Sequence, residues 1–222
     1  MISSLSSFLV GREQLITLLS RRQEVSLLGF KNEGYLYDTG WIRSVTANEV
    51  ADKDGKPLPW LTYPAISFLE KRLGKDMALF EFGCGNSTLY YAGKVALVYS
   101  VEHDKLWFDK ISGTLPKNTC LFFCQLEPGG DYCHYAIQTG REFDIIVIDG
   151  RDRVNCCKNS IASLKPGGIV ILDDAEREKY REGVSLLENE GFKKIEFWGI
   201  APMINYLKCT IIFYREDNCL GI

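Results

Sequence analysis

The hydrophobic rhythm of the chain changes near residue 60. Before that point apolar residues come in short, scattered groups. Leu15, Ile16, Leu18 and Leu19 recur at helical spacing and predict a helix over 11–28, and a glycine-marked stretch at 29–40 leads into Trp41-Ile42-Arg43-Ser44-Val45. The polar run Asp52-Lys53-Asp54-Gly55-Lys56-Pro57 reads as a turn that closes this section. Beyond it, short continuous runs of Val, Ile, Leu and Phe alternate with amphipathic segments. Ile66, Leu69 and Leu73 share one face of a helix predicted over 65–73. Strands are predicted at 78–82, 97–101, 120–125, 143–148, 169–172, 194–198 and 210–214, with helices at 87–94, 106–115, 154–164 and 176–190 between them. Strands that are apolar throughout need cover on both faces, and a parallel sheet flanked by helices supplies it.

The pattern predicts an α/β fold: a Rossmann-like, doubly wound, mostly parallel seven-stranded sheet. The last two strands, joined by a longer loop at 202–207, are expected to form an antiparallel edge hairpin, and an N-terminal helical extension precedes the sheet. Residues 1–60 are expected to cap a substrate pocket, with Met203 and Tyr206 of the late loop, while 61–222 form the α/β domain.

Composition narrows the picture. A chain of 222 residues suffices for one good-sized core but is short for two, and 46% hydrophobic with 25% charged residues excludes disorder. A net charge of −3 without any Lys/Arg block argues against nucleic acid or an anionic membrane as partner. No apolar run approaches the ~18 residues that span a bilayer, and the first ten residues lack the positive segment of a signal peptide. The eight cysteines show no paired CxxC spacing; Cys120, Cys124 and Cys209 fall in strand-like runs, where a free thiol is a small hydrophobe. A cytoplasmic location is expected, with a homodimer left open.

Doubly wound sheets bind ligands beyond the carboxyl ends of their strands. The first strand carries Glu81 and runs into Gly83-Cys84-Gly85-Asn86-Ser87-Thr88, whose glycines allow a sharp turn and close ligand approach. Glu102, closing the next strand, stands where a carboxylate accepts hydrogen bonds from ribose hydroxyls. Both features suit a dinucleotide or S-adenosylmethionine (SAM), and charge separates the two. A pyrophosphate calls for a third glycine where Thr88 stands, and would be repelled by Glu81. The sulfonium and ammonium of SAM would be attracted instead, by up to about 4 kcal/mol at 4 Å and an effective dielectric near 20, before desolvation. The other reading of Glu81 is a cap on the neighbouring helix, and of Glu102 a solvated loop carboxylate.

Glu81-x-Gly83-x-Gly85, Glu102, and Leu164-Lys165-Pro166-Gly167-Gly168 before the fifth strand resemble the class I SAM-dependent methyltransferases over residues 60–222. The resemblance implies that the turn with Gly83, Cys84, Gly85, Ser87 and Thr88 borders the methionine part of SAM and that Glu102 holds the ribose. It also makes Tyr63, in the Trp60-Leu61-Thr62-Tyr63 segment, a cofactor contact, with packing as the alternative role.

The fourth and fifth strands deliver Asp149-Gly150 and Asp173-Asp174 to the same rim. Clustered carboxylates need protons or a bridging cation, and oxygen ligands point to Mg²⁺ or another hard divalent ion. This pattern resembles the metal-assisted O-methyltransferases of the catechol and macrocin (sugar hydroxyl) groups, which implies Asp149, Asp173 and Asp174 as metal ligands by position. The lysine base of catechol-type enzymes is replaced by Asp152, so that base does not carry over, and Arg151 and Arg153 point to an anionic or glycosyl acceptor. Asp149 and Arg151 are the expected catalytic residues. In the alternative, Asp174 caps the following helix, Asp173 is solvated and Asp149 only orients a substrate or the cofactor amine. His134 is placed in a loop. The expected activity is methyl transfer from SAM to an oxygen of a small molecule, with a metal-free N- or O-methyltransferase or a non-catalytic SAM-binding module as alternatives.

Overall fold

The computed structural model describes residues 20–222, so the part of the first predicted helix at 11–19 lies outside the described residues. Helix α1 (Arg21–Gly29) opens on a capping box in which Ser20 and Gln23 satisfy each other's backbone N–H groups. Short helices α2 (Tyr35–Asp38) and α3 (Trp41–Ala47) follow, and α4 (Tyr63–Glu70) starts with Pro64 in its first turn, where the missing N–H costs nothing. The alternating part then runs β1 (Ala78–Phe82), α5 (Asn86–Lys94), β2 (Leu97–Glu102), α6 (Lys105–Ser112), β3 (Thr119–Phe123), α7 (Asp131–Gln138), β4 (Phe143–Ile148), α8 (Arg153–Ser160), β5 (Leu164–Leu172), α9 (Arg181–Asn189), β6 (Lys193–Ala201) and β7 (Ile204–Tyr214).

The strand order is β3-β2-β1-β4-β5-β7-β6. β7 pairs antiparallel with both β5 and β6, so the reversed strand lies inside the sheet and β6 forms the edge. The sheet reverses its winding between β1 and β4, where a crevice opens beyond the strand ends. Side chains alternate across it. Leu79, Ile145, Val147, Ile169 and Ile171 pack on one face with Leu61, Leu69 and Tyr91; Phe80, Phe82, Ile146, Ile148 and Leu172 pack on the other with Tyr132, Cys156 and Leu187.

Three expectations are corrected. The predicted loop at 202–207 shrinks to the turn Pro202-Met203, with Met203 left-handed at φ 65°, because pairing of Gly199 with Lys208 and Ala201 with Ile204 extends both strands. His134 lies not in a loop but on α7, a helix short enough for its buried Tyr132, Cys133 and Ala136 to pass for irregular text. The helix predicted from 176 begins only at Arg181, after a tight turn at Glu178–Tyr180.

Two indoles fasten the N-terminal section to the β6–β7 turn: Trp41 Nε1 donates to Ile204 O at 2.9 Å and Trp60 Nε1 to Pro202 O at 2.7 Å. Asn86 Nδ2 donates to Val50 O at 2.8 Å and holds the section against the start of α5. No helix among the described residues is long and apolar enough to cross a membrane. All eight cysteines are free thiols.

Candidate active site

A cleft of about 920 Å³ opens where β1, β2, β4 and β5 end, walled on the far side by residues 48–60 and the β6–β7 hairpin. A smaller hollow of about 240 Å³ between Tyr37 and Lys53 contains none of the candidate residues. The floor of the cleft begins at the β1 turn. Gly83 has φ 98°, a conformation that favours glycine, and an added Cβ would come within 3.4 Å of Gly150 Cα. The two turns after β1 and β4 therefore lie backbone against backbone.

Glu81 is 1% exposed and props this turn from below. Its Oε2 accepts from the Thr88 hydroxyl at 2.6 Å and the Ser100 hydroxyl at 3.2 Å, while Thr88 Oγ1 accepts from Gly85 N–H at 3.0 Å. Burial raises the Glu81 carboxyl to about 7, and the hydroxyl bonds pull the other way. Glu81, Cys84, Gly85 and Ser87 line the cleft; Thr88 does not, because its side chain turns inward to Glu81.

Glu102 is buried at the cleft wall. Its Oε1 accepts the backbone N–H of His103 at 2.7 Å and of Asp104 at 2.8 Å, and lies 2.8 Å from His103 Nδ1. The loop after β2 thus fixes one carboxylate oxygen, and among the described residues the other takes no hydrogen bond from nitrogen or oxygen. Trp107, on the first turn of α6, donates its indole N–H to Cys84 O at 2.9 Å and faces Gly85. Sequence reasoning missed this residue; an aromatic one turn into the helix after Glu102 was the available signal.

Tyr63 is not at the cleft. It sits on the inward face of α4, 4% exposed and edge-on to Tyr35, while Trp60 of the same segment lines the cleft and is 45% exposed.

At the ends of β4 and β5 the three aspartates do converge, but they come with their own cations. Asp149 Oδ1 meets Arg153 at 3.0 Å; Asp173 Oδ2 meets Lys208 at 2.6 Å and its Oδ1 accepts from Thr210 at 2.7 Å. Asp174 forms ion pairs with Lys208 at 3.0 Å, Arg177 at 3.1 Å and Arg153 at 3.3 Å. Arg153 further donates to the backbone carbonyls of Asp149, Gly150 and Asp173, so one guanidinium ties the two strand ends together. Burial alone would lower the Lys208 ammonium, but Asp173 and Asp174 hold it above its ordinary value. Burial, reinforced by Asp173, pushes the Asp149 carboxyl well above the usual carboxylate range.

These residues do not fit Mg²⁺. The oxygens of Asp173 and Asp174 are already bonded, and a second positive centre would meet an ammonium and a guanidinium at contact distance. Among the described residues no cluster of His, Cys, Asp and Glu has metal-binding geometry. The alternative roles for these residues are corrected as well: Asp173 is 1% exposed rather than solvated, and Asp174, with φ 54°, caps no helix. Arg151 is exposed at the cleft wall, and Asp152 turns away to the Gly129 N–H at 2.8 Å. His134 bonds Gly130 O at 2.9 Å and does not line the cleft.

No protein-family model matches the chain, and no curated protein matches its sequence. Solved structures do. An O-methyltransferase from Bacillus cereus, in complex with SAH, superposes with a TM-score of 0.58 at 14% identity, over 87% of this chain and 97% of that one. The fold is shared with methyltransferases. A precorrin-6y C5,15-methyltransferase from Geobacter metallireducens gives 0.51 at 14% identity over 69% and 87%, and a precorrin 8W decarboxylase from Methanobacterium thermoautotrophicum 0.50 at 19% over 76% and 96%. At such identities the likeness is one of architecture and assigns no side chain a role.

Proposed function

We propose that this protein transfers a methyl group from SAM to an oxygen of a small molecule. The observation that carries the reading is the cleft floor: a bare-backbone turn at Gly83–Gly85 with buried Glu81 below it and the Glu102 carboxylate beside it. That surface repels a pyrophosphate and attracts a sulfonium and an ammonium. The turn, with Cys84 and Ser87, would follow the amino-acid portion of SAM, Glu102 would accept the ribose hydroxyls, and the indole of Trp107 and the side chain of Ile111 would wall the base. When bound, SAM supplies an electrophilic methyl carbon.

Asp149 is the chain's own contribution to the chemistry. Among the described residues its Oδ2 is the one oxygen of the three aspartates with neither a hydrogen-bond nor an ion-pair partner, and it lines the cleft where an acceptor hydroxyl would sit. Arg153 holds the carboxylate in place. Trp60, Arg151, Arg177 and Tyr206 line the remaining half, where the acceptor would sit against aromatic faces with a guanidinium for an anionic or glycosyl group. The reading invokes no metal, in keeping with the ion pairs that fill the aspartate cluster. A small-molecule acceptor, rather than nucleic acid, fits the net charge of −3, and eight free thiols fit a reducing cytoplasm.

Calorimetry with SAM, SAH and NADH tests the cofactor, followed by an acceptor screen with methyl-labelled SAM. NADH binding without SAM binding would refute the reading; SAH binding with no labelled product from any acceptor would reduce the protein to a binding module.

A further inference from the structure

Lys208 enters the aspartate cluster from β7, the strand that runs against its neighbours. It is 4% exposed, donates hydrogen bonds to Asp173 Oδ2 at 2.6 Å and Trp60 O at 3.2 Å, and forms an ion pair with Asp174 Oδ1 at 3.0 Å. The same ammonium therefore neutralises the rim at the end of β5 and fastens the backbone of the segment that forms the opposite wall. Thr210, two residues along the same face of β7, completes Asp173 and also accepts Thr62 N–H at 3.1 Å. A buried carboxylate pair needs a positive charge close by. Here it arrives on the chain.

We propose that Lys208 is the resident cation of Asp173, shared with Asp174, in this cleft. It is a positioning residue that does the charge-neutralising work of a divalent metal and sets the spacing between the strand-end rim and the Trp60 wall. Ligand binding in the cleft is then independent of divalent ions. The inference rests on the methyltransferase reading only for the identity of the ligand, since the cluster's charge balance can be read without one.

The test uses the full chain as wild type, Lys208→Met, Asp173→Asn and the double variant, melted in EDTA, in MgCl₂ and in MnCl₂. Wild type is expected to melt at the same temperature in all three media, and to bind SAH equally well in each. Lys208→Met leaves the two aspartates without their ammonium and is expected to melt lower by on the order of 10 °C. Adding Asp173→Asn removes one stranded charge, so the double variant is expected to melt above Lys208→Met alone. A side chain that merely fills space gives additive losses instead, and additivity overturns the proposal. Wild type stabilised by Mg²⁺ or Mn²⁺ over EDTA also overturns it, and this arm stands even if Lys208→Met does not fold. Because melting needs no cofactor, failure of SAH to bind counts against the proposed function and leaves this inference intact.

Discussion

Replacing Glu102 by glutamine changes one face of one carboxylate, and the structure dictates which face. Two backbone N–H groups, of His103 and Asp104, point at Oε1 from 2.7 and 2.8 Å. An amide nitrogen at that position would strand both donors, at about 1–3 kcal/mol each, so the glutamine carbonyl must occupy it. The NH₂ group then faces the cleft, a donor where ribose hydroxyls need an acceptor. A hydrogen bond to a charged group contributes about 1.5–3 kcal/mol. Losing the charged acceptor, with the hydroxyls left to accept from a neutral amide instead, lowers SAH affinity by about 1.5–3 kcal/mol, or roughly 10- to 150-fold. The loop itself keeps its bonds, so melting without ligand moves by less than about 1 kcal/mol, which is roughly 2–4 °C for a chain of this size. Titration calorimetry and ligand-free melting of the same preparations separate the two effects. Unchanged SAH affinity would refute the ribose assignment, and a parallel fall in melting temperature would show that Glu102 serves the loop rather than the ligand.

Other positions give independent tests. The Glu81 carboxyl is raised from 4.5 to about 7 by burial, so between those values the folded state holds a proton that the unfolded chain has released. Stability from this group therefore falls as pH rises through that window and levels off above about pH 7. Glu81→Gln is expected to flatten the slope in urea melts across pH 4.5–7 relative to wild type, and an unaltered slope would remove Glu81 from the titration. Gly150→Ala puts a Cβ 2.1 Å from the Tyr132 hydroxyl and 2.9 Å from Phe82 O, so it should cost about 1–3 kcal/mol in equilibrium unfolding; a neutral result would mean that the β4 turn shifts freely. Arg153→Met leaves Asp149 and three strand-end carbonyls without their donor and takes one of three cations from Asp174, with an expected loss of about 3–5 kcal/mol in urea unfolding. A loss below about 1 kcal/mol, the level of a surface ion pair, would deny it the clamping role.

Much of this protein was legible in its sequence because the relevant signals are local. The apolar runs of β1 and β4 have the bounds their periodicity predicts, and the alternation of strand and helix places the turn after β1, Glu102, Asp149 and Asp173-Asp174 along one rim. Short connections and fixed crossover handedness leave few other arrangements. Periodicity is weakest where elements are short, and there the reading failed: α7 passed for a loop and the β6–β7 turn was drawn too long.

The partners of those carboxylates were decided only by the tertiary structure. Lys208 meets Asp173 across a separation of 35 residues because β7 inserts, reversed, between β5 and β6. The sequence raised the need for a cation, and nothing local said that it would be an ammonium from the last strand of the chain rather than a metal ion. Tyr63 and Trp60, three residues apart, likewise divide between core and cleft according to how α4 rolls against the sheet. Local pattern fixes which way a backbone runs and which face is apolar. Which charge meets which is set by the register between elements distant in sequence, and that register emerges only when the whole core packs.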